Sequence, residues 1–177
     1  MTAVDGQEKS KNFLGGHIAA GSGKWHSSNN ALSRSYEGKT YFRIGIDYAR
    51  RSDRVAFGTG LSVTSQSLDV TTNTYFGREN IRGTFEHAFF IFSIPAHMKM
   101  YFFKYFFFDG GFFFNYHPHF GYEWGVGPLA GAGVEYVSKQ SISFALMFQM
   151  QWNLLFTEEL AENLNQKGVS FSIGHRF

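Results

Sequence analysis

Hydrophobic and polar side chains alternate with a period of two along much of this chain, most plainly over residues 142–154. There Ile142, Phe144, Leu146, Phe148, Met150, Trp152 and Leu154 interleave with Ser143, Ala145, Met147, Gln149, Gln151 and Asn153. Successive side chains of a strand leave opposite sides of the pleat, so this alternation is the mark of β-structure. The stretch 93–116 adds a second feature. In its latter half Phe106, Phe108, Gly110, Phe112 and Phe114 share one face, while Tyr105, Phe107, Asp109, Gly111, Phe113 and Asn115 share the other. One face is apolar throughout; the other mixes aromatics with a carboxylate, an amide and a glycine. That division suits a strand with lipid on one side and a packed polar interior on the other.

The same reading along the chain predicts eight strands within residues 12–177, after a flexible polar tail over 1–11. Strand 1 starts near Asn12, with Leu14, Ile18 and Ala20 opposite Gly15, His17, Ala19 and Gly21. A polar loop is expected at 24–39, strand 2 at 40–49, a charged turn at 50–54 and strand 3 from Val55 to Thr64. A long polar loop follows at 65–82, then strand 4 at 84–101, a tight turn at Phe103 and Lys104, and strand 5. Residues 117–123 read as a loop, 125–137 as strand 6, 138–140 as a turn, 142–154 as strand 7, 157–167 as a loop and 169–177 as strand 8. Long and short connections alternate, as in barrels with long outer loops and short periplasmic turns. The predicted fold is all-β: a transmembrane, eight-stranded, antiparallel, up-and-down barrel with both ends on the periplasmic side.

A soluble barrel with the large apolar face inward is the alternative, and packing argues against it. Eight strands enclose a space only just wide enough for side chains to fill. Phe, Ile, Leu, Met and Trp from every strand would overfill it, whereas the other face is rich in Gly, Ala and Ser. Composition agrees: 22 Phe, 20 Gly and 3 Pro favour sheet with close backbone contacts, and mean hydropathy is only −0.21. No apolar run approaches the ~18 residues of a spanning helix. A net charge of +2 gives no basis for nucleic-acid binding, and the absence of Cys excludes disulfides and thiolate metal sites. The polar residues after Met1 contain no apolar h-region, so Met1 reads as an added start on a mature, exported sequence.

With the strands placed, the chain resembles the small outer-membrane β-barrel (porin-family) proteins of Gram-negative bacteria. The resemblance rests on FGTGLSVTS, SIPAHMKMYF, FFFDGGFFFNY, GPLAGAGVEY and VSFSIGHRF, and within them on Ile94, Pro95, Lys99, Gly131, Gly133, Glu135, Tyr136 and the terminal Phe177. Ser93 departs from the family, which often has an acidic residue there. The resemblance implies residence in the outer membrane among lipid and lipopolysaccharide. It also implies insertion by the barrel-assembly machinery, with Phe171, Ile173 and Phe177 carrying the assembly signal. Most members have no assigned activity.

By parity the lumen receives His17, Arg43, Asp47, His97, Lys99, Asp109, Glu135 and Arg176. Charges of both signs in a confined space must pair. The expectation is a salt-bridge network that, with Tyr41, Tyr105 and Phe107, plugs the barrel. Trp124, Tyr48, Tyr136, Trp152 and Tyr101 are expected at the edges of the apolar band. For catalysis, the candidate is Trp25-His26-Ser27-Ser28-Asn29. It resembles the His-x-Ser-Asn of lipid A deacylase barrels, with Ser28 as nucleophile, His26 as base and Glu37 as the orienting acid. His117, His119 and Glu123 could ligate a metal, although His-x-His in a loop is more often solvated polarity. No Walker loop or dinucleotide fingerprint is present, so no cofactor and no metal are expected. The reading is therefore a monomeric outer-membrane barrel without an open pore. It would be structural, or would meet an outer-membrane protein partner through loops 24–39, 65–83 and 157–167. The alternative is a lipid A-modifying hydrolase.

Overall fold

The computed structural model describes residues 12–26, 34–76, 79–118, 123–156 and 161–177. Within them run eight strands: β1 (Asn12–His26), β2 (Arg34–Ser52), β3 (Val55–Phe76), β4 (Glu79–Phe102), β5 (Phe106–His117), β6 (Glu123–Val137), β7 (Ile142–Phe156) and β8 (Ala161–Arg176). Each pairs antiparallel with its sequence neighbours, and β8 pairs with β1, so the sheet closes into an eight-stranded up-and-down barrel with no free edge. The backbone of Phe177 extends the seam by exchanging two hydrogen bonds with Asn12, at 2.9 and 3.0 Å.

The apolar parity faces out. Phe42, Ile44 and Ile46 on β2, Phe90, Phe92 and Ile94 on β4, and Phe106, Phe108, Phe112 and Phe114 on β5 are all exposed. Trp124 at one end and Tyr136 at the other, 62 % and 55 % exposed, bound this band on β6. The twelve residue-to-residue steps from one to the other correspond to about 30 Å along the axis, at ~3.3 Å per step and a tilt of about 40°. Tyr48 and Trp152 are likewise exposed on the outer wall. Tyr101 is not: it belongs with His97 and Lys99 on the inward parity of β4, is only 8 % exposed, and stacks under Arg51 at 3.9 Å.

The strands run further than the alternation of the sequence marks. Most of 24–39, 65–82 and 161–167, expected as loops, is ladder, and β3 and β4 reach 22 and 24 residues. The described outward side chains of these segments, among them Lys24, Ser65, Ser67, Asp69, Thr71 and Lys167, are polar because the segments extend past the apolar band. Their inward positions still alternate, and Leu68, Phe89, Ile91 and Leu164 form a buried apolar cluster at the far end of the barrel. A bulge between Gly38 and Tyr41 shifts the β2–β3 register by one residue, the usual effect of an extra residue in one strand. On the outer wall above it, Lys39 bridges Asp69 at 2.9 Å and Glu86 at 3.4 Å, tying β2 to β3 and β4. The hydrogen bond to Asp69 raises the Lys39 ammonium above its ordinary pKa. At the opposite end the connections are short. Asp53, Phe103 and Ser141 each adopt positive φ in them, which lets the chain reverse in a few residues.

Candidate functional site

The lumen gathers most of the chemistry, and it is layered. Nearest the short turns, Arg176 donates to Glu135 at 2.7 Å and Ser143 donates to the same carboxylate oxygen. Just above lies a small apolar cluster of Ala56, Tyr101, Phe107 and Ala145. The Lys99 ammonium stands 5.1 Å from the Phe107 ring centroid. Next come two histidine–aspartate pairs. His17 on β1 meets Asp47 on β2 at 2.6 Å, and His97 on β4 meets both oxygens of Asp109 on β5 at 2.9 and 3.0 Å. Glycines make room for these rings: a Cβ on Gly58 would lie 2.3 Å from His97 Nε2, so the imidazole occupies space that a side chain on β3 would otherwise fill.

The next layer is organised by Arg43, 5 % exposed. Its Nε donates to Thr64 Oγ1 at 2.7 Å. One terminal nitrogen donates to Gln151 Oε1 at 2.7 Å and to Gln166 Oε1 at 2.8 Å. Gln166 in turn donates to Gln66 Oε1 at 3.0 Å. The guanidinium therefore spans β2, β3, β7 and β8 through neutral oxygens. A carboxylate partner was expected, and among the described residues Arg43 forms no ion pair; the planar fork is matched by three side-chain dipoles instead. A second polar chain crosses the barrel beside it, with Ser93 donating to Asn115 at 2.5 Å and Asn115 donating to Asn153. Above both sits the cluster of Leu68, Phe89, Ile91 and Leu164. His117 is buried beside it with its ring 6.2 Å from that of Phe89, and neither of its ring nitrogens has a hydrogen-bond partner among the described residues.

All eight residues assigned to the lumen by parity lie inside. Three of the resulting contacts join opposite charges or a His–Asp pair, whereas Arg43 and Lys99 find neutral partners. Tyr105, also expected inside, sits in the exposed β4–β5 turn with its ring 6.4 Å from that of Tyr136. The amides Gln66, Gln149, Gln151, Asn153 and Gln166 were not assigned a role from the sequence; inward parity was available for the three on β7, whereas Gln66 and Gln166 lie in segments read as loops. Between these layers remains a cavity of about 50 Å³, bordered by Asp47, His97, Lys99, Asp109, Gln149 and Gln151, with room for a few water molecules.

The catalytic candidate is only partly described. His26 ends β1 opposite Asn163, and Glu37 lies in β2 opposite Asp69, whereas Ser28 lies outside the described residues. Of the metal candidate, His117 is in β5 and Glu123 begins β6, and His119 lies outside the described residues.

An apolar outer wall around a side-chain-filled polar interior defines the class: an eight-stranded antiparallel barrel of the outer-membrane type. Two solved structures similar to this chain are outer-membrane proteins. One is the outer membrane protein AlkL in lipid bilayers (11 % identity, TM-score 0.46, covering 100 % of this chain and 96 % of that one). The other is the outer membrane protease OmpT of Escherichia coli (7 % identity, TM-score 0.45, covering 100 % of both chains). No protein-family model matches the sequence, and no curated protein matches it.

Proposed function

We propose that this protein is a monomeric integral barrel of a Gram-negative outer membrane whose lumen is plugged. It would act through the surfaces it presents beyond the apolar band rather than by conducting solute. The observation that carries this reading is the sequence of layers inside the wall. Two apolar clusters bracket a hydrogen-bonded polar layer, and the cavity between them is about 50 Å³. A hydrated ion crossing that interior would have to displace buried side chains and break the hydrogen bonds that join Arg43 to Thr64, Gln151 and Gln166. On the outer side, the extended wall of β2, β3 and β4 offers a polar platform, with Lys39, Asp69 and Glu86 on its surface and Thr71 hydrogen-bonded to Thr84. Lipopolysaccharide and an outer-membrane protein partner are the ligands this platform would meet. The test is electrical: protein reconstituted in planar bilayers should give no steady conductance beyond rare, brief openings. A stable ohmic channel would overturn the reading.

Insertion follows from the same reading. Phe177 is exposed on the outward parity it shares with Phe171 and Ile173, so its ring is available to the barrel-assembly machinery while its backbone closes the seam. Deleting Phe177 should lower the yield of inserted protein in cells far more than it lowers the stability of barrel refolded in detergent. An equal loss in both would assign Phe177 to packing alone.

A further inference from the structure

We propose that the groove between the β2–β3 and β4–β5 turns seats one anionic glycerophospholipid of the leaflet that meets the short-turn end of the barrel. The inference rests on the reading that the apolar wall faces a bilayer. The groove is an open cavity of about 780 Å³ bordered by Arg54, Val55, Met100, Phe102, Phe103 and Lys104. Its two sides are joined by the backbone, since Tyr101 N–H donates to Arg54 O at 2.8 Å and Val55 pairs with Met100. The chemistry of the groove divides in two. Met100 and Phe102 are outward-facing and exposed, and with Val55 they continue the apolar exterior to the barrel's rim, where an acyl chain would lie.

The rim itself is cationic. Arg54 and Lys104 are exposed at the two turns, and Arg50 is exposed nearby on the outer face of β2. Asp53 is the one carboxylate in these two turns, against Arg54 and Lys104 beside it and Arg50 at the end of β2, while Arg51 turns inward over the Tyr101 ring. A phosphodiester between Arg54 and Lys104 would supply the missing negative charge where the dielectric is falling, and charge complementarity there favours an anionic over a zwitterionic headgroup.

Phe103 supports the same placement. It is 96 % exposed and sits at φ 57°, a backbone conformation uncommon for a bulky residue. No described contact within the barrel accounts for a phenylalanine there. At the headgroup boundary its ring would be covered by lipid beside the Tyr105 and Tyr136 rings. Continuity of the groove with the apolar wall is what favours a lipid over a soluble acidic peptide.

The experiment uses the full chain in nanodiscs of phosphatidylcholine containing a minor fraction of phosphatidylglycerol. Native mass spectrometry then reads the lipids that stay bound after release. Wild-type protein should retain one phosphatidylglycerol in clear preference to phosphatidylcholine. Arg54→Gln or Lys104→Gln should each reduce that retention about fivefold, and the pair about twenty-five-fold, the effect of removing one or two near-surface cations. A heat-modifiable gel shift checks that the variants remain closed barrels, and Lys139→Gln at the β6–β7 turn should leave retention unchanged. Equal retention of both lipids, or an equal loss in the Lys139 control, would overturn the site. So would displacement of the bound species by an acidic peptide but not by phosphatidylglycerol. Failure of wild-type protein to enter nanodiscs of either composition would instead overturn the membrane reading.

Discussion

Arg43→Ala should lower the stability of the refolded barrel by about 3 kcal/mol and raise conductance through its lumen. The guanidinium holds Thr64, Gln151 and Gln166 from three other strands, and Gln66 is fixed through Gln166. Truncation strands those oxygens inside the barrel and opens a space next to the existing cavity that water can enter. Because the partners are neutral oxygens arranged around a planar fork, Arg43→Lys should recover only part of the loss, since an ammonium cannot span the same acceptors. A urea titration followed by tryptophan fluorescence gives the stability change. Planar-bilayer recording gives the leak. An unchanged midpoint with a closed lumen in Arg43→Ala would mean that the amide layer is slack and that the two apolar clusters alone seal the barrel.

The second large effect concerns backbone approach. A Cβ on Gly127 would stand 1.6 Å from the carbonyl oxygen of Trp152 on the neighbouring strand, and a backbone atom cannot swing aside as a side chain can. Gly127→Val should therefore prevent β6 and β7 from pairing and leave no heat-modifiable, closed species on refolding into detergent. Gly110 is the control. It lies on the outward parity of β5 in the same sheet, and a Cβ there has its nearest neighbour at 3.9 Å, so Gly110→Ala should fold like the wild type. Normal folding of Gly127→Val would show that β6 and β7 can separate locally without losing the barrel.

The inward and outward faces were legible in the sequence because a strand's side-chain period is an exact integer. Once Phe106, Phe108 and Phe112 are outside, Asp109 must be inside, whatever the barrel's detailed shape. The same rule places Tyr101 inside, where its ring meets Arg51. Expecting it at the edge of the apolar band followed residue type, an aromatic at a strand end, and overlooked the parity it shares with His97 and Lys99. Strand length was harder to read. Above the apolar band both faces of β3 are polar or mixed, so the hydrophobic signal fades although the ladder continues. Only Leu68 and Val70, which follow Gln66 on the inward parity, mark the strand.

What the sequence alone determined, then, is the all-β class, the number of strands, the apolar exterior and, along the strand segments that alternate clearly, which face turns inward. All of these depend on composition and on neighbours along the chain. Which interior residues meet was decided only by the tertiary structure. Asn115 reaches Asn153 from β5 to β7, and Arg43 reaches Gln151 and Gln166 from β2 to β7 and β8, across a closed ring. Parity assigns a side chain to the lumen but says nothing of its height or of the residue opposite. Those depend on the stagger of all eight strands at closure, on the bulge at Gly38 and Tyr41, and on the glycines over which the large side chains lie.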